Sequence, residues 1–173
     1  QLASLGYATG PVPAVALPHP LAPSDLPSPM DSMSELDRMN RADALLNTGQ
    51  FESGIELVEE IVQANSRNVY AQRILASALE RVGRTAEAAL GWERVIGLGD
   101  SSVPTRLRLA ACLTREGELE RASALFEQVL EQDPQNLEAM QQLLKVAVLA
   151  HDAQRAREYR RRFGPALDAA TER

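Results

Sequence analysis

The side chains that could carry covalent or metal chemistry are few and stand apart. The chain has one cysteine, Cys112, and two histidines, His19 and His151. A cysteine nucleophile needs a base beside it, and a metal site needs several ligands at short, regular spacing. Neither pattern occurs in the sequence. We therefore predict no catalytic residue, no cofactor and no metal ligand, and we interpret Cys112 as a small buried apolar residue.

Carboxylates are the other candidates for acid–base chemistry. Glu59 and Glu60 are adjacent, and Glu116, Glu118 and Glu120 alternate with other residues. Both groups lie in stretches of helical periodicity, which favours solvated helix faces over a matched acid–base pair. No glycine-rich phosphate loop and no nucleophile elbow is present. The sequence thus predicts that this chain is not an enzyme, although a missing upstream catalytic domain stays open.

Composition excludes several further classes of protein. The chain has 173 residues, of which 45% are apolar, and a formal net charge of −6. An acidic protein without a basic face is a poor nucleic-acid binder. No stretch approaches the ~20 consecutive apolar residues that a membrane span requires. A single cysteine also excludes an intrachain disulfide.

The chain divides into an arm and a helical body. Seven of the ten prolines lie before residue 30, and residues 1–33 contain no lysine or arginine. Closely spaced prolines disfavour helix interiors and central strands, so we predict an extended, proline-rich arm over 1–33. From Ser34 onward, apolar residues recur at helical spacing. An arm that folds back into the body's own binding surface is one alternative.

An internal repeat of 34 residues organises the body. Gly49, Gly83 and Gly117 are spaced by that period. Small residues follow each glycine by five positions, and large apolar residues follow it by nine. The small residues are Gly54, Ala88 and Ala122, and the large apolar residues are Val58, Trp92 and Phe126. Glycine commonly ends a helix, and here a second helical pattern follows each glycine. Because this arrangement recurs every 34 residues, we predict repeated helical hairpins.

This column pattern resembles the tetratricopeptide repeat, although the early tryptophan usual in that family is missing from every unit. The resemblance implies an all-α solenoid of about four helix–turn–helix units over 34–168. The predicted units are 35–68, 69–102, 103–136 and 137–170, with a C-terminal tail over 165–173. Gly164–Pro165 is the expected stop of the last helix.

The fourth unit departs from the pattern in two columns. His151 stands where the other units have the turn glycine, and histidine enters left-handed geometry more readily than most residues. Arg160 stands in the large apolar column. An arginine there predicts a polar cap with no further unit stacked on it.

The family resemblance also implies a binding surface. In tetratricopeptide proteins the first helices of the units line a concave groove that binds a protein or peptide. The groove positions map here to Leu36, Met39, Asp43, Leu46, Asn47, Tyr70, Arg73, Ser77, Glu80, Arg81, Leu107, Ala111, Thr114 and Arg115. Apolar residues together with arginine suit a peptide with hydrophobic anchors and acidic groups. Ordinary packing is the alternative role for part of this set.

Two further expectations concern the partner. A basic run near the C-terminus is a candidate docking patch for an acidic partner, with a solvated cap as the alternative. It comprises Arg155, Arg157, Arg160, Arg161 and Arg162. Tetratricopeptide domains that bind chaperone C-termini use a set of lysine, asparagine and arginine residues. The matching positions here are Met39, Asp43, Ile74, Pro104 and Arg108, so we do not expect chaperone-tail binding.

The segments Leu2–Tyr7 and Leu26–Asp31 are similar to the region before the C-terminal tetratricopeptide tail of bacterial sulfatase-like hydrolases. That resemblance implies an alternative role, in which the chain positions or oligomerises an exported enzyme. It would place the chain in the periplasm or outside the cell, whereas without it a cytoplasmic location is equally compatible. The identity of the partner and the oligomeric state do not follow from the sequence.

Overall fold

The computed structural model describes residues 29–171, and all regular structure within that range is α-helical. Each helix packs against the next one along the chain. The helices are α1 (Pro29–Asn47), α2 (Phe51–Ala64), α3 (Val69–Arg81), α4 (Thr85–Gly97), α5 (Val103–Arg115), α6 (Leu119–Gln132), α7 (Leu137–Leu149) and α8 (Ala153–Thr171). They form four helical hairpins stacked in chain order, which confirms the predicted all-α solenoid.

Two helix ends lie beyond their expected positions. The first helix, α1, begins at Pro29, inside the segment predicted to be irregular. Proline is compatible with this position, because the N–H groups of a first helical turn have no partner within the helix. Residues 1–28 of the predicted arm lie outside the described residues.

The expected stop at Gly164–Pro165 is wrong, since α8 continues through Pro165 to Thr171. Tyr159 and Phe163 are buried, and Leu167 packs against the same core. This apolar stripe recurs every four residues, so packing on both sides of the proline stabilises the helix despite one lost backbone hydrogen bond.

The turns inside the four units share one geometry. Gly49, Gly83 and Gly117 have φ of 83°, 80° and 81°, and His151 has φ of 55°. In each turn the next residue donates its N–H to a carbonyl five residues earlier, as Arg84 does to Leu79 at 3.0 Å. This bond caps the first helix through a residue in left-handed conformation. The prediction that His151 replaces a turn glycine is confirmed.

Replacing His151 with glycine is expected to stabilise the protein by about 1 kcal/mol, because glycine enters the left-handed region without the steric cost that a Cβ brings. Urea unfolding followed by far-UV circular dichroism measures this change. The control is His151→Ala, which keeps a Cβ and should give no comparable gain. An equal gain in both variants would show that the histidine ring, and not the backbone, causes the strain.

The repeat columns form the core between the hairpins. Val58, Trp92 and Phe126 are at most 5% exposed, whereas Arg160 in the same column is exposed. Small residues allow close approach of the helices: a Cβ added to Gly91 would lie 2.9 Å from that of Ala76. The large column therefore fills space between helices, and its last member faces solvent.

Candidate functional site

The first helices of the four units lie in one row and the second helices in another. Tyr70 on α3 donates to Asp43 on α1 at 3.0 Å, and Arg108 on α5 donates to Glu80 on α3 at 2.9 Å. In the other row, Tyr159 on α8 donates to Glu127 on α6 at 2.7 Å. The row of first helices is the surface on which the predicted groove residues stand.

Most of the predicted groove residues are accessible on this row, but two are not. Met39 and Leu46 are 3% and 5% exposed and belong to the core. Leu46 fills the space left by Gly54, where an added Cβ would lie 2.6 Å from the leucine Cδ2. Contrary to the prediction, these two residues are not part of the groove surface. The Glu80 side chain is also largely covered, at 8% exposed. The others are exposed or half-buried: Leu36, Asp43, Asn47, Tyr70, Arg73, Ser77, Arg81, Leu107, Ala111, Thr114 and Arg115.

A pocket of about 240 Å³ lies between α3 and α5 on this row. Three predicted residues line it, Tyr70, Arg73 and Ser77. Five residues outside the predicted set complete the lining: Ile74, Trp92, Pro104, Thr105 and Arg108. Ile74, Pro104 and Arg108 are also three of the positions that match the chaperone-tail set, so the family resemblance could have placed them on this surface. Trp92 belongs to a second helix and reaches the pocket only because the two rows pack closely.

Glu80 joins three helices behind the pocket. Its Oε1 accepts hydrogen bonds from the indole of Trp92 at 2.8 Å and from the thiol of Cys112 at 3.1 Å. Its Oε2 accepts from Arg108. The Glu80 side chain is only 8% exposed. This carboxylate therefore has a structural role, and the groove surface beside it carries the arginine.

The single cysteine has no features of a nucleophile. Cys112 is fully buried, and burial together with the hydrogen bond to Glu80 raises the pKa of its thiol to about 12. The reactive thiolate is therefore suppressed at neutral pH. His151 lies in the α7–α8 turn, and His19 lies outside the described residues.

Cationic side chains dominate what the groove offers to a ligand. The hydrogen bond from Tyr70 occupies Asp43 and raises the pKa of the phenol. Arg73 is 54% exposed, with Asp100 at 3.8 Å, and Arg108 is 59% exposed. Arg81 is less free, because its guanidinium lies 4.6 Å from the centre of the Phe51 ring. Asp43, Glu80 and Asp100 are thus all engaged within the protein, while Arg73 and Arg108 keep more than half of their side-chain surface exposed.

Three of the five arginines in the basic run on α8 contact other side chains. Arg155 and Arg160 approach Asp152 and Asp168 at 3.5 and 3.9 Å, respectively. Arg162 stacks over Phe163 at 5.0 Å. Arg157 and Arg161 are exposed, and neither forms an ion pair within the part of the chain that the structure describes. Only two of the five arginines are fully available to a partner.

No helix among residues 29–171 is long and apolar enough to cross a bilayer. No cluster of three or more His, Cys, Asp or Glu side chains in the same range could hold a metal ion.

The fold and the groove define an α-solenoid of helical-hairpin repeats. Two family models, both described as tetratricopeptide repeat, match residues 39–102 and 79–147 and together span most of the helical body. The chain belongs to the tetratricopeptide repeat family. No curated protein sequence matches it.

Solved structures share the fold at low sequence identity. The first tetratricopeptide domain of Spaghetti (RPAP3), bound to the HSP90 peptide SRMEEVD, is 24% identical, with a TM-score of 0.62 over 70% of this chain and 97% of that one. MamA from Desulfovibrio magneticus RS-1 is 15% identical, with a TM-score of 0.69 over 80% and 77%. YrrB, described as having an unusual peptide-binding site, is 20% identical, with a TM-score of 0.70 over 80% and 70%.

Proposed function

We propose that this chain is a non-catalytic interaction module whose groove binds an extended, acidic segment of a partner protein. The exposed positive charge of two groove arginines is the main support for this proposal. Arg73 and Arg108 stand at the pocket between α3 and α5, and both are more than half exposed. Of the nearby carboxylates, Asp43 accepts from Tyr70, whereas Glu80 and Asp100 lie beside Arg108 and Arg73, whose guanidinium groups stay more than half exposed. A ligand that supplies its own carboxylates would pair with arginines that the fold leaves accessible.

The walls of the pocket suit a side chain with an apolar stem. Ile74, Pro104 and Trp92 line it together with the two arginines. An acidic or hydrophobic side chain can bury its carbon atoms against these walls while a carboxylate meets the guanidinium groups at the rim. Contacts of this kind, with aromatic and arginine residues at the centre, supply much of the affinity in protein interfaces.

The solved neighbours add support of a general kind. A protein of the same fold binds SRMEEVD, a peptide with adjacent glutamates and apolar residues. The residues of this chain differ from the set expected for chaperone tails, since Met39 is buried and Asp43 is already bonded to Tyr70. We propose an acidic segment of different sequence as the ligand.

Peptide binding with matched charge variants tests the groove. The probe is a fluorescein-labelled synthetic peptide of alternating glutamate and leucine, with its lysine–leucine counterpart as the negative control. We expect the acidic peptide to bind, and the double variant Arg73→Glu/Arg108→Gln to weaken binding about tenfold or more, because each lost carboxylate contact is a charge-assisted bond. Fluorescence anisotropy measures the change.

The choice of substitutions follows from the contacts. Glutamine at position 108 removes the charge but keeps a polar side chain, and the buried Glu80 carboxylate retains the bonds from Trp92 and Cys112. Arg81 is left intact because it donates to the Leu46 carbonyl and stacks on Phe51. The double variant Arg157→Glu/Arg161→Gln on α8 makes the same change in net charge outside the groove. If only this second variant weakens binding, the α8 patch is the docking site and the groove proposal is wrong.

The alternative role as the tail of a sulfatase-like hydrolase rests on Leu2–Tyr7 and Leu26–Asp31. In that role the groove would bind an acidic surface of the enzyme itself, in the periplasm or outside the cell. The coding sequence upstream of Gln1 tests it. A catalytic domain with the formylglycine motif would support this alternative, and its absence from the full gene would remove it.

A further inference from the structure

A further pocket lies among the end of α2, the start of α3 and the end of α4. Its volume is about 360 Å³, which is within the range of small-ligand sites. It shares no lining residue with the pocket between α3 and α5. The lining residues are Val62, Ser66, Gln72, Arg94, Gly97 and Leu98. This pocket is therefore separate from the surface that carries the groove arginines.

A buried amide oxygen without a partner belongs to the wall of this pocket. Gln72 is 3% exposed, and its Nε2 donates to the Ser66 carbonyl at 3.2 Å, the long end of the usual range. Its Oε1 accepts no hydrogen bond from any residue that the structure describes. An unsatisfied buried acceptor is costly, and the last torsion of a glutamine side chain is soft. A donor that enters the pocket can therefore turn the amide and bond to Oε1.

The first and third units have an arginine in the column of Gln72. Arg38 reaches across its hairpin and donates to Glu60 on α2 at 2.8 Å. Arg106 donates to the carbonyl of Ser101, just before α5. Each of these long side chains has a bonded partner, whereas the shorter Gln72 leaves its acceptor unpaired. The second unit thus differs from both neighbours at this position.

Gly97 leaves the pocket open on the side of α4. In its column the other units have Gln63, Glu131 and Pro165. A Cβ added to Gly97 would meet no atom within 4 Å. Arg94, one helical turn earlier, is exposed and forms no ion pair with another residue between 34 and 170. The second unit therefore combines open space, an unpaired acceptor and an unpaired cation.

We infer that this pocket binds a tryptophan side chain of a partner protein. The indole N–H donates to Gln72 Oε1, and the ring packs against Val62 and Leu98. The guanidinium of Arg94 lies over the face of the ring, where a cation is attracted to the π system. Three lining residues, Ser66, Arg94 and Gly97, are exposed, so a side chain carried on another protein can enter. This inference does not rest on the proposed peptide groove.

Other side chains fit this pocket less well than tryptophan does. Phenylalanine has no donor for Gln72, and Arg94 repels lysine and arginine. Tyrosine brings an oxygen that needs a donor of its own, whereas indole only donates. Indole also forms the strongest contact of an aromatic side chain with a cation. The ligand class is therefore an aromatic ring with an N–H group.

Two tryptophan derivatives test the site by NMR titration of the ¹⁵N-labelled protein. The probe is N-acetyltryptophanamide, and its N1-methylated form lacks the indole N–H. We expect the unmethylated probe to bind about fivefold more tightly, since methylation removes one hydrogen bond to a neutral acceptor. Gln72→Met should bring the two affinities together, because methionine keeps the length of the side chain without a strong acceptor. Met140, 6% exposed in the same column, shows that this fold accommodates the residue.

Two more variants complete the test. Gly97→Gln copies the residue of the first unit and should weaken both probes at least fivefold with no loss of stability, since the added side chain meets open space. Gln132→Met changes an exposed glutamine at the end of α6 and should leave both affinities unchanged. Absence of binding, equal affinity of the two probes, or a preference that survives Gln72→Met overturns the inference. Binding of free indole without binding of N-acetyltryptophanamide also overturns it, because the site would then take a small molecule.

Discussion

Phe126→Ala is expected to lower the free energy of unfolding by about 3–5 kcal/mol, because a large buried aromatic side chain is lost. Phe126 is 1% exposed and lies in the column of large residues that fills the space between helices. Removing its ring forfeits the transfer free energy of the buried atoms and leaves a cavity that the rigid helices on either side can close only in part. Small domains are stable by only about 5–15 kcal/mol, so this loss is a large fraction of the total.

Urea unfolding followed by far-UV circular dichroism measures this effect. Leu90→Ala is the matched control, because Leu90 is a large apolar residue that is 52% exposed on α4. It should change the unfolding midpoint far less than Phe126→Ala does. If Phe126→Ala fails to fold, Phe126→Leu removes fewer atoms and should give a smaller loss in the same direction. A loss below about 1 kcal/mol for Phe126→Ala would contradict close packing around the ring.

Glu80→Ala is expected to cost about 2–3 kcal/mol, since it leaves two buried donors without their acceptor. The indole of Trp92 and the thiol of Cys112 both donate to Glu80 Oε1. Arg108 loses its partner on Oε2 as well. The substitution therefore weakens the connection between the second and third units, although it removes no core apolar side chain.

A double-mutant cycle with Trp92→Phe separates the indole bond from the rest. We expect the two substitutions together to cost less than the sum of their separate costs, because the bond between them is lost only once. Circular dichroism is the measurement, since Trp92 is the only tryptophan and its fluorescence is lost in the cycle. Glu87→Ala removes an exposed carboxylate that pairs with Arg84, and it should change the midpoint very little. Strict additivity in the cycle would mean that the indole bond contributes nothing.

The sequence predicted the repeat geometry closely because that geometry is local. A glycine every 34 residues fixes the turns, and the histidine that replaces one of them adopts the same left-handed backbone. Small and large columns on either side of each turn specify which faces of the hairpin are buried. Cys112 was correctly placed in the core for the same reason.

The candidate site was only partly predictable, because its residues come from different units. The family resemblance assigned Tyr70, Arg73 and Ser77 to the groove, where they line the pocket, but it also assigned Met39 and Leu46 to a surface on which they are buried. At Leu46 the cause is a neighbour, since Gly54 leaves a space that the leucine fills. A repeat pattern along the sequence does not show that the facing helix leaves such a space.

The sequence by itself determined the helical hairpins, their turns and most of the core, since spacing along one chain sets which face of each helix is apolar. Only the tertiary structure decided that α8 continues past Pro165 and that Glu80 serves three donors from two neighbouring helices. Glu80 and Arg108 stand 28 residues apart in sequence and meet because stacking brings α3 beside α5. The charge that the groove offers to a ligand depends on such pairings, which are set by the packing of one unit on the next.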